Sequence, residues 1–464
     1  MAVVVEELIP APEPMDVARK LAHLPHLLFL DSADRHPERG RYSYVMADPV
    51  EFRTDVDFRD LEEWIREYSC NTLAGLPPFQ GGIAGLFGYG LGRQLESIPA
   101  PHRDEFAVSD LALGLYPWVV AFDHVTDRVW MIANRISSER ITQIRKILNE
   151  YSLLEFGHQP VFVTLSNAPK RADARTPTQC ETAFPLLDHP NVFSNFSRRD
   201  YQAAVRRAVE YVHAGDVFQV NISQRLLAPQ TEHPFELYSR LREVSPAPFA
   251  AYFDAGDFQI ASASPERFLQ LSPDRRVSTK PIKGTRPRGK TNAEDDALLK
   301  DLTTSSKDRA ENIMIVDLLR NDLGRVCEYG SVKVPRVCEV ESYRDVHHLV
   351  SEVVGQLRPG LTAFDLLKAA FPGGSVTGAP KVRAMEIIAE LEPTARGPYC
   401  GSLGWIGFDG AMDTNILIRT FTASGGWLQF PVGGGVVADS TPEREYEETL
   451  HKAAGLLRAL RRQP

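Results

Sequence analysis

Strand-like and helix-like runs follow one another in irregular order along this chain, and that irregularity limits its fold more than any single motif. A doubly wound fold needs steady strand–helix–strand alternation, because parallel neighbours are joined by crossover helices. Here short strand-like runs come in succession, as at 116–122 and 128–132 around an aspartate-containing turn. Further strands are expected at 217–227, 250–253, 259–262, 268–271, 346–356 and across 399–437, and helices at 137–151, 292–303, 306–323, 363–370, 381–391 and 442–460. The pattern predicts an α+β fold of mostly antiparallel sheet flanked by helices.

Three regions follow from composition. Residues 1–165 alternate short strands and turns, and the six glycines between 81 and 92 read as close backbone packing rather than a linker. Over 166–195 the periodicity weakens and Pro, Ala, Thr and Asn dominate, which reads as a linker. Regularity returns over 196–464. Ser197 and Asp200 resemble a capping box, Tyr201, Val205, Val209 and Val212 recur at helical spacing, and Gly215 suits a helix C-cap.

The net charge of −9 argues against nucleic acid as a partner, since that binding needs basic surface. A small anionic substrate stays compatible, because a metal ion and a few arginines reverse the field locally. The longest apolar stretch, 111–122, is too short to span a bilayer and contains Pro117, so no membrane role is expected. The N-terminal run has no basic segment of the signal-peptide kind, and the expected location is cytoplasmic. The five cysteines, Cys70, Cys180, Cys327, Cys338 and Cys400, are widely spaced without a CxxC, as reduced thiols would be.

Several residues carry possible chemistry. Lys283, within Pro281-Ile282-Lys283-Gly284-Thr285, acts as a nucleophile if burial or a nearby cation keeps it uncharged. Glu266, beside Pro265 and Phe268, either keeps its proton as a general acid or pairs with Arg267 or another arginine. Asp308 and Glu311 share a helix face, as do Glu445 and Glu448, and such carboxylates suit magnesium; on spacing alone, two solvated helix faces fit better, because acidic i, i+3 pairs are common. The loop 371–381 could cradle an anion but is not a Walker A loop, because Gly378 is followed by Ala379 and Pro380. The glycines at 433–435 fit a tight turn or an oxyanion cradle. His348 shares a strand face with Val346 and Val350, whereas His347 points the other way.

Taken in order, eight stretches from about residue 197 to the end resemble the chorismate-utilising enzyme family: 215–220, 264–268, 281–285, 311–318, 348–351, 372–381, 418–421 and 433–448. Residues 27–32 and 41–43 match more loosely. Anthranilate-forming members look like Pro-Ile-Ala-Gly-Thr where this chain has Lys283; the lysine resembles members that form aminodeoxychorismate. The resemblance implies two similar subdomains of antiparallel sheet flanked by helices, packed face to face around a cleft, with the N-terminal segment interwoven. It implies chorismate as substrate and Mg2+ as cofactor, held by Glu311 and Glu448 with Asp308 and Glu445 acting through waters. Lys283 would attack the ring at C2 while Glu266 serves as acid and then base. Arg419, with the N–H groups of Gly434 and Gly435, would hold the enolpyruvyl carboxylate, and Thr377 and Gly378 would line the site. Gln219 and His348 match active-site positions. Isochorismate- and salicylate-forming members carry a water-activating lysine at the position resembling Gln219, and glutamine is no such base. No glutaminase-like segment is visible, so a separate glutamine amidotransferase subunit is the expected ammonia source. In some relatives the N-terminal motif forms part of a tryptophan pocket, and Leu30-Asp31-Ser32 departs from its usual Leu-Glu-Ser.

Overall fold

The computed structural model describes residues 3–36, 39–54, 56–149, 183–343 and 346–461. Among them, two antiparallel sheets of thirteen and ten strands carry the fold. The first runs from Val4–Glu7 at one edge, through Tyr42–Met46, Phe249–Asp254, Gln259–Ser264, Thr420–Ser424, Trp427–Val436 and Gln219–Pro229, to Phe184–Leu186 at the other. The second runs from Ile282–Pro287 and Val346–Gln356, through Arg267–Leu271, Met412–Asn415 and Ser402–Gly407, to Gly82–Phe87, Leu111–Tyr116 and Glu51–Thr54. The α+β architecture is therefore as expected.

Period-two alternation decides what each sheet face meets. In Trp118–Asp123, Val119 and Ala121 face an inter-sheet core with Ala84, Leu86, Leu403 and Trp405 of the second sheet. Their neighbours Val120 and Phe122 face outward onto helices, among Val17, Ile144, Leu241 and Leu456. A strand apolar on both faces thus reads as an unbroken hydrophobic run. The second sheet packs Ile83, Leu269, Val277 and Val353 in a core shared with helix residues Val205, Ile315, Leu319, Leu366 and Ile387.

Both sheets take strands from before residue 149 and after residue 184, so the N-terminal segment is interwoven with the rest. Of the expected linker, 166–182 lies outside the described residues. The remainder is not a linker: Phe184–Leu186 and His189–Ser194 are strands, the latter paired with Gln219–Pro229. Pro185 and Pro190 disguise them, since proline is tolerated at an edge strand and beside a register shift, and one falls between His189 and Phe193.

Helix signals in the second half are legible. Ser197 Oγ accepts the Asp200 N–H at 3.1 Å, and Gly215 ends helix Arg198–Ala214 with φ +83°. Helices Pro14–Leu21, Phe58–Arg66 and Pro234–Val244, and the strand Lys333–Ser342, have no counterpart in the sequence reading. The glycines near 85 pack as expected: Gly85 has φ +147°, and a Cβ there would run into the Ala112 carbonyl of the paired strand. No helix among the described residues is long and apolar enough to cross a membrane.

Candidate active site

Two of the chain's crossings between the sheets run side by side. Pro265 and Glu266 connect Gln259–Ser264 of the first sheet to Arg267–Leu271 of the second. Residues 416–419 connect Met412–Asn415 of the second back to Thr420–Ser424 of the first. The crossings bond to each other, Ile416 N–H to the Glu266 carbonyl at 3.0 Å and Ala263 N–H to the Arg419 carbonyl at 3.1 Å. Glu266 and Arg419 are thereby brought together from positions far apart in sequence.

Glu266 is buried and does not pair with Arg267, whose guanidinium instead makes a two-pronged bond to Asp413 at 2.9 Å on each prong. Burial raises the Glu266 pKa, opposed by the Ser375 hydroxyl, which donates to Oε1 at 2.8 Å, and then by Lys283, the Ile282 N–H and Arg39. A carboxyl so placed favours its neutral form.

Lys283 enters from the edge strand Ile282–Pro287. Its pairing with Val346–Gln356 shifts register between Ile282 and Thr285, which leaves Lys283 and Gly284 in a bulge. A bulge re-aims a side chain, and Gly284 at φ +81° supplies the left-handed residue. The Lys283 amine donates to the Ser375 carbonyl at 3.3 Å. Burial lowers its pKa and the field of Lys452 adds to this, while Glu311, Glu266 and Glu448 oppose it.

The helix Ser306–Gly324, capped by Ser305, carries Asp308 and Glu311, and Pro442–Leu460 carries Glu445 and Glu448. Glu311 and Glu445 are both raised, by burial first, and the Glu448 charge adds to each. Glu448 itself is lowered: burial pushes it up, but Lys452 at 2.7 Å, together with Lys283 and Lys307, more than offsets this. Glu445 accepts from Ser440 at 2.7 Å through Oε1, and its Oε2 is buried with no partner among the described residues. Both carboxylates rest on Gly434, where an added Cβ would lie 3.0 Å from Glu445 Oε2 and 3.3 Å from Glu448 Oε1. Asp308 is turned to Arg286 at 3.0 Å. Among the described residues, no three His, Cys, Asp or Glu side chains close a metal cage alone. The mutually repelling carboxylates and the orphaned Oε2 still suit a magnesium ion, which takes one or two carboxylates and completes its shell with water and substrate oxygens.

Arg419 stands at φ +52°, and among the described residues its side chain forms no hydrogen bond or ion pair. Burial lowers its pKa, with Glu266 opposing. His348 is pushed down to about 3 by burial, then by Arg419, Arg39 and His347, so it is neutral, and its Nδ1 shares a hydrogen bond with Thr285 at 2.9 Å. His347 bonds Asp295 and Ser342 on the opposite face. Gln219 is fully buried with neither amide atom partnered among the described residues, and a Cβ on Gly435 would lie 2.7 Å from its Nε2. Thr377 donates to the Gly373 carbonyl at 2.9 Å, and Gly378 pairs with Val220, which holds the 371–380 loop against the Gln219 strand.

Ser375, Lys452 and Arg39 belong to this cluster and were not anticipated. Ser375 lies in the loop read as an anion cradle, and Lys452 sits four residues after Glu448, both usable signals. Arg39, from the N-terminal region, had none. The stretch Leu30-Asp31-Ser32 lines a cavity of about 280 Å³ that Arg39 also lines, and Asp31 is bound there to Arg242 at 2.5 Å and Tyr238 at 2.9 Å.

The family profile of chorismate binding enzymes matches residues 29–458, and the chain belongs to that family. It is 40% identical over 460 residues to aminodeoxychorismate synthase component 1 of Salmonella typhimurium, covering 94% of each chain. It is 44% identical over 387 residues to anthranilate synthase component 1 of Thermus thermophilus, covering 83% of this chain and 78% of the relative. The crystal structure of anthranilate synthase component I from Streptococcus pneumoniae superposes with a TM-score of 0.75 at 32% identity, over 89% of this chain and 92% of that one.

Proposed function

We propose that this protein aminates chorismate at C4 to give 4-amino-4-deoxychorismate, on the route to p-aminobenzoate and folate, using ammonia from a separate glutamine amidotransferase subunit. The observation that carries this reading is Lys283, set in a bulge with burial lowering the pKa of its amine, and sharing Ser375 with Glu266, whose carboxyl burial pushes toward its protonated form.

In the first step the Lys283 amine bonds to C2, the ring double bonds shift, and the C4–O bond breaks as Glu266 protonates the departing hydroxyl, releasing water. In the second, ammonia bonds to C4, the double bonds shift back, the C2–N bond breaks to free Lys283, and Glu266 accepts a proton. The sum is chorismate and ammonia giving aminodeoxychorismate and water. Arg419, whose guanidinium has no partner among the described residues, would take the enolpyruvyl carboxylate together with the N–H groups of Gly434 and Gly435. Thr377, Gly378, Gln219 and His348 line the cleft, and neutral His348 adds no charge to repel the arginine. Magnesium bound by Glu311 and Glu448, with Asp308 and Glu445 through waters, would neutralise the ring carboxylate. Lys452 would then share Glu448 with it, and Arg286 would share Asp308.

Anthranilate formation is the second reading, favoured by the 44% identity to the Thermus relative. Incubation with chorismate, magnesium and ammonium, with chromatography of the products, separates the two. A product that an added lyase converts to p-aminobenzoate supports C4 amination. Fluorescent anthranilate instead would overturn it.

A further inference from the structure

One residue in the cleft touches both reacting groups. Ser375, in the turn Gly374–Val376, donates its hydroxyl to Glu266 Oε1 at 2.8 Å and accepts from the Lys283 amine through its carbonyl at 3.3 Å. The loop around it is tied at both ends. Lys381 bonds Asp322 at 2.7 Å and also the Ala370 carbonyl, and Thr377 bonds the Gly373 carbonyl.

We propose that Ser375 is the positioning residue that sets Lys283 and Glu266 against one another, its hydroxyl fixing the rotation of the carboxyl and its carbonyl fixing the rotation of the amine. The inference rests on the reading that these two groups perform the chemistry. A neutral amine has two N–H bonds and one lone pair. A carbonyl can only accept, so it engages an N–H and leaves the lone pair free to attack. The carboxyl has two oxygens that could carry the acid proton. A hydroxyl donating to Oε1 makes the carboxyl's orientation definite and competes with protonation there. Misplacement of a reacting atom by a fraction of its bond length is costly, and one rigid turn holding both groups removes two independent rotations.

The charged and titratable groups facing Glu266 are Lys283, Arg39, Arg419 and Cys400, and those facing Lys283 are Glu311, Lys452, Glu266 and Glu448. None changes identity when residue 375 is substituted, so a change in the pH profile reports the hydroxyl.

The test measures kcat and KM for chorismate against pH in the full chain, with saturating magnesium and ammonium, for wild type, Ser375→Ala, Ser375→Thr and Glu266→Gln. Loss of one hydrogen bond to a carboxylate predicts a kcat lowered about tenfold to a hundredfold in Ser375→Ala, with KM held within about twofold. The Ser375 bond holds the Glu266 pKa down, so the inflection that Glu266 sets moves to higher pH in Ser375→Ala, while the Lys283 inflection stays. Ser375→Thr, which keeps the hydroxyl, returns the Glu266 inflection to its wild-type position. Wild-type kcat in Ser375→Ala, or a reduced kcat with both inflections unmoved, would overturn the proposal. The two readings fail separately: an unchanged rate and profile in Glu266→Gln removes the functional reading whatever residue 375 does.

Discussion

Gly284→Ala should damage catalysis far more than its cost in stability explains. Gly284 lies in the bulge that aims Lys283, at φ +81°. A side chain in the left-handed region costs about 1–2 kcal/mol. Its Cβ would also sit 3.0 Å from Asp308 Cβ and 3.0 Å from Leu302 Cδ1. Asp308 cannot simply swing away, because it is bound to Arg286 and lies on a helix packed against the strand. Crowding of this kind brings the total to about 2–3 kcal/mol. The chain relieves it most readily by flattening the bulge, which withdraws the Lys283 amine from Glu266. A displacement near 1 Å lowers the rate about a hundredfold. Gly215→Ala is the matched control: φ is +83°, but no atom lies within 4 Å of the added Cβ, and the residue ends a helix rather than shaping the cleft. Urea unfolding and product formation, measured on both, give the comparison. Gly215→Ala should lose about 1–2 kcal/mol and keep its activity. Equal stability losses in the two variants, with full turnover in Gly284→Ala, would refute the bulge as the device that aims the lysine.

Further outcomes are expected. Lys283→Ala should abolish aminodeoxychorismate formation and leave at most slow anthranilate formation; full activity in that variant would sink the covalent lysine. Glu266→Gln should raise stability at neutral pH: the folded-state pKa of Glu266 lies above its unfolded value, so wild type loses stability as pH rises through that window. The gain should vanish below the ordinary glutamate range, and unfolding curves at pH 4 and pH 8 check it, with equal gains at both refuting the burial argument. Gly434→Ala should weaken magnesium binding by displacing Glu445 and Glu448, read by calorimetry without substrate; unchanged affinity would separate Gly434 from the cation site.

What could be read from the sequence was local. The helix Arg198–Ala214 is bounded by a serine and a glycine that act through their nearest neighbours, and both boundaries follow from residue type alone. Helices such as Pro234–Val244 are stabilised by packing on a sheet many residues away; this one also carries a proline in its first turn and apolar residues at 237, 238 and 241, local signals that could have found it. The site divides in the same way. The paired carboxylates on the two helices were visible because i, i+3 spacing fixes their common face. The choice of Glu266 between an arginine and a retained proton was not, because it turns on Asp413 capturing Arg267 from another strand. The bulge at Lys283 was equally hidden, since it exists only relative to the partner strand, and Arg39 reaches the cleft through the interweaving of the first region with the last.

The paired crossings at Glu266 and Arg419 have a consequence for how such a protein tolerates change. Glu266 and Arg419 do not stand on loops that can vary freely; they stand in two of the seams by which one sheet is stitched to the other. Their separation is set by the backbone bonds between the two crossings, which span the layer where Leu417 is buried with Trp405, Leu403 and Phe253. Substitutions in that layer, remote from any substrate, should therefore shift the crossings and with them the placement of Glu266 and Arg419.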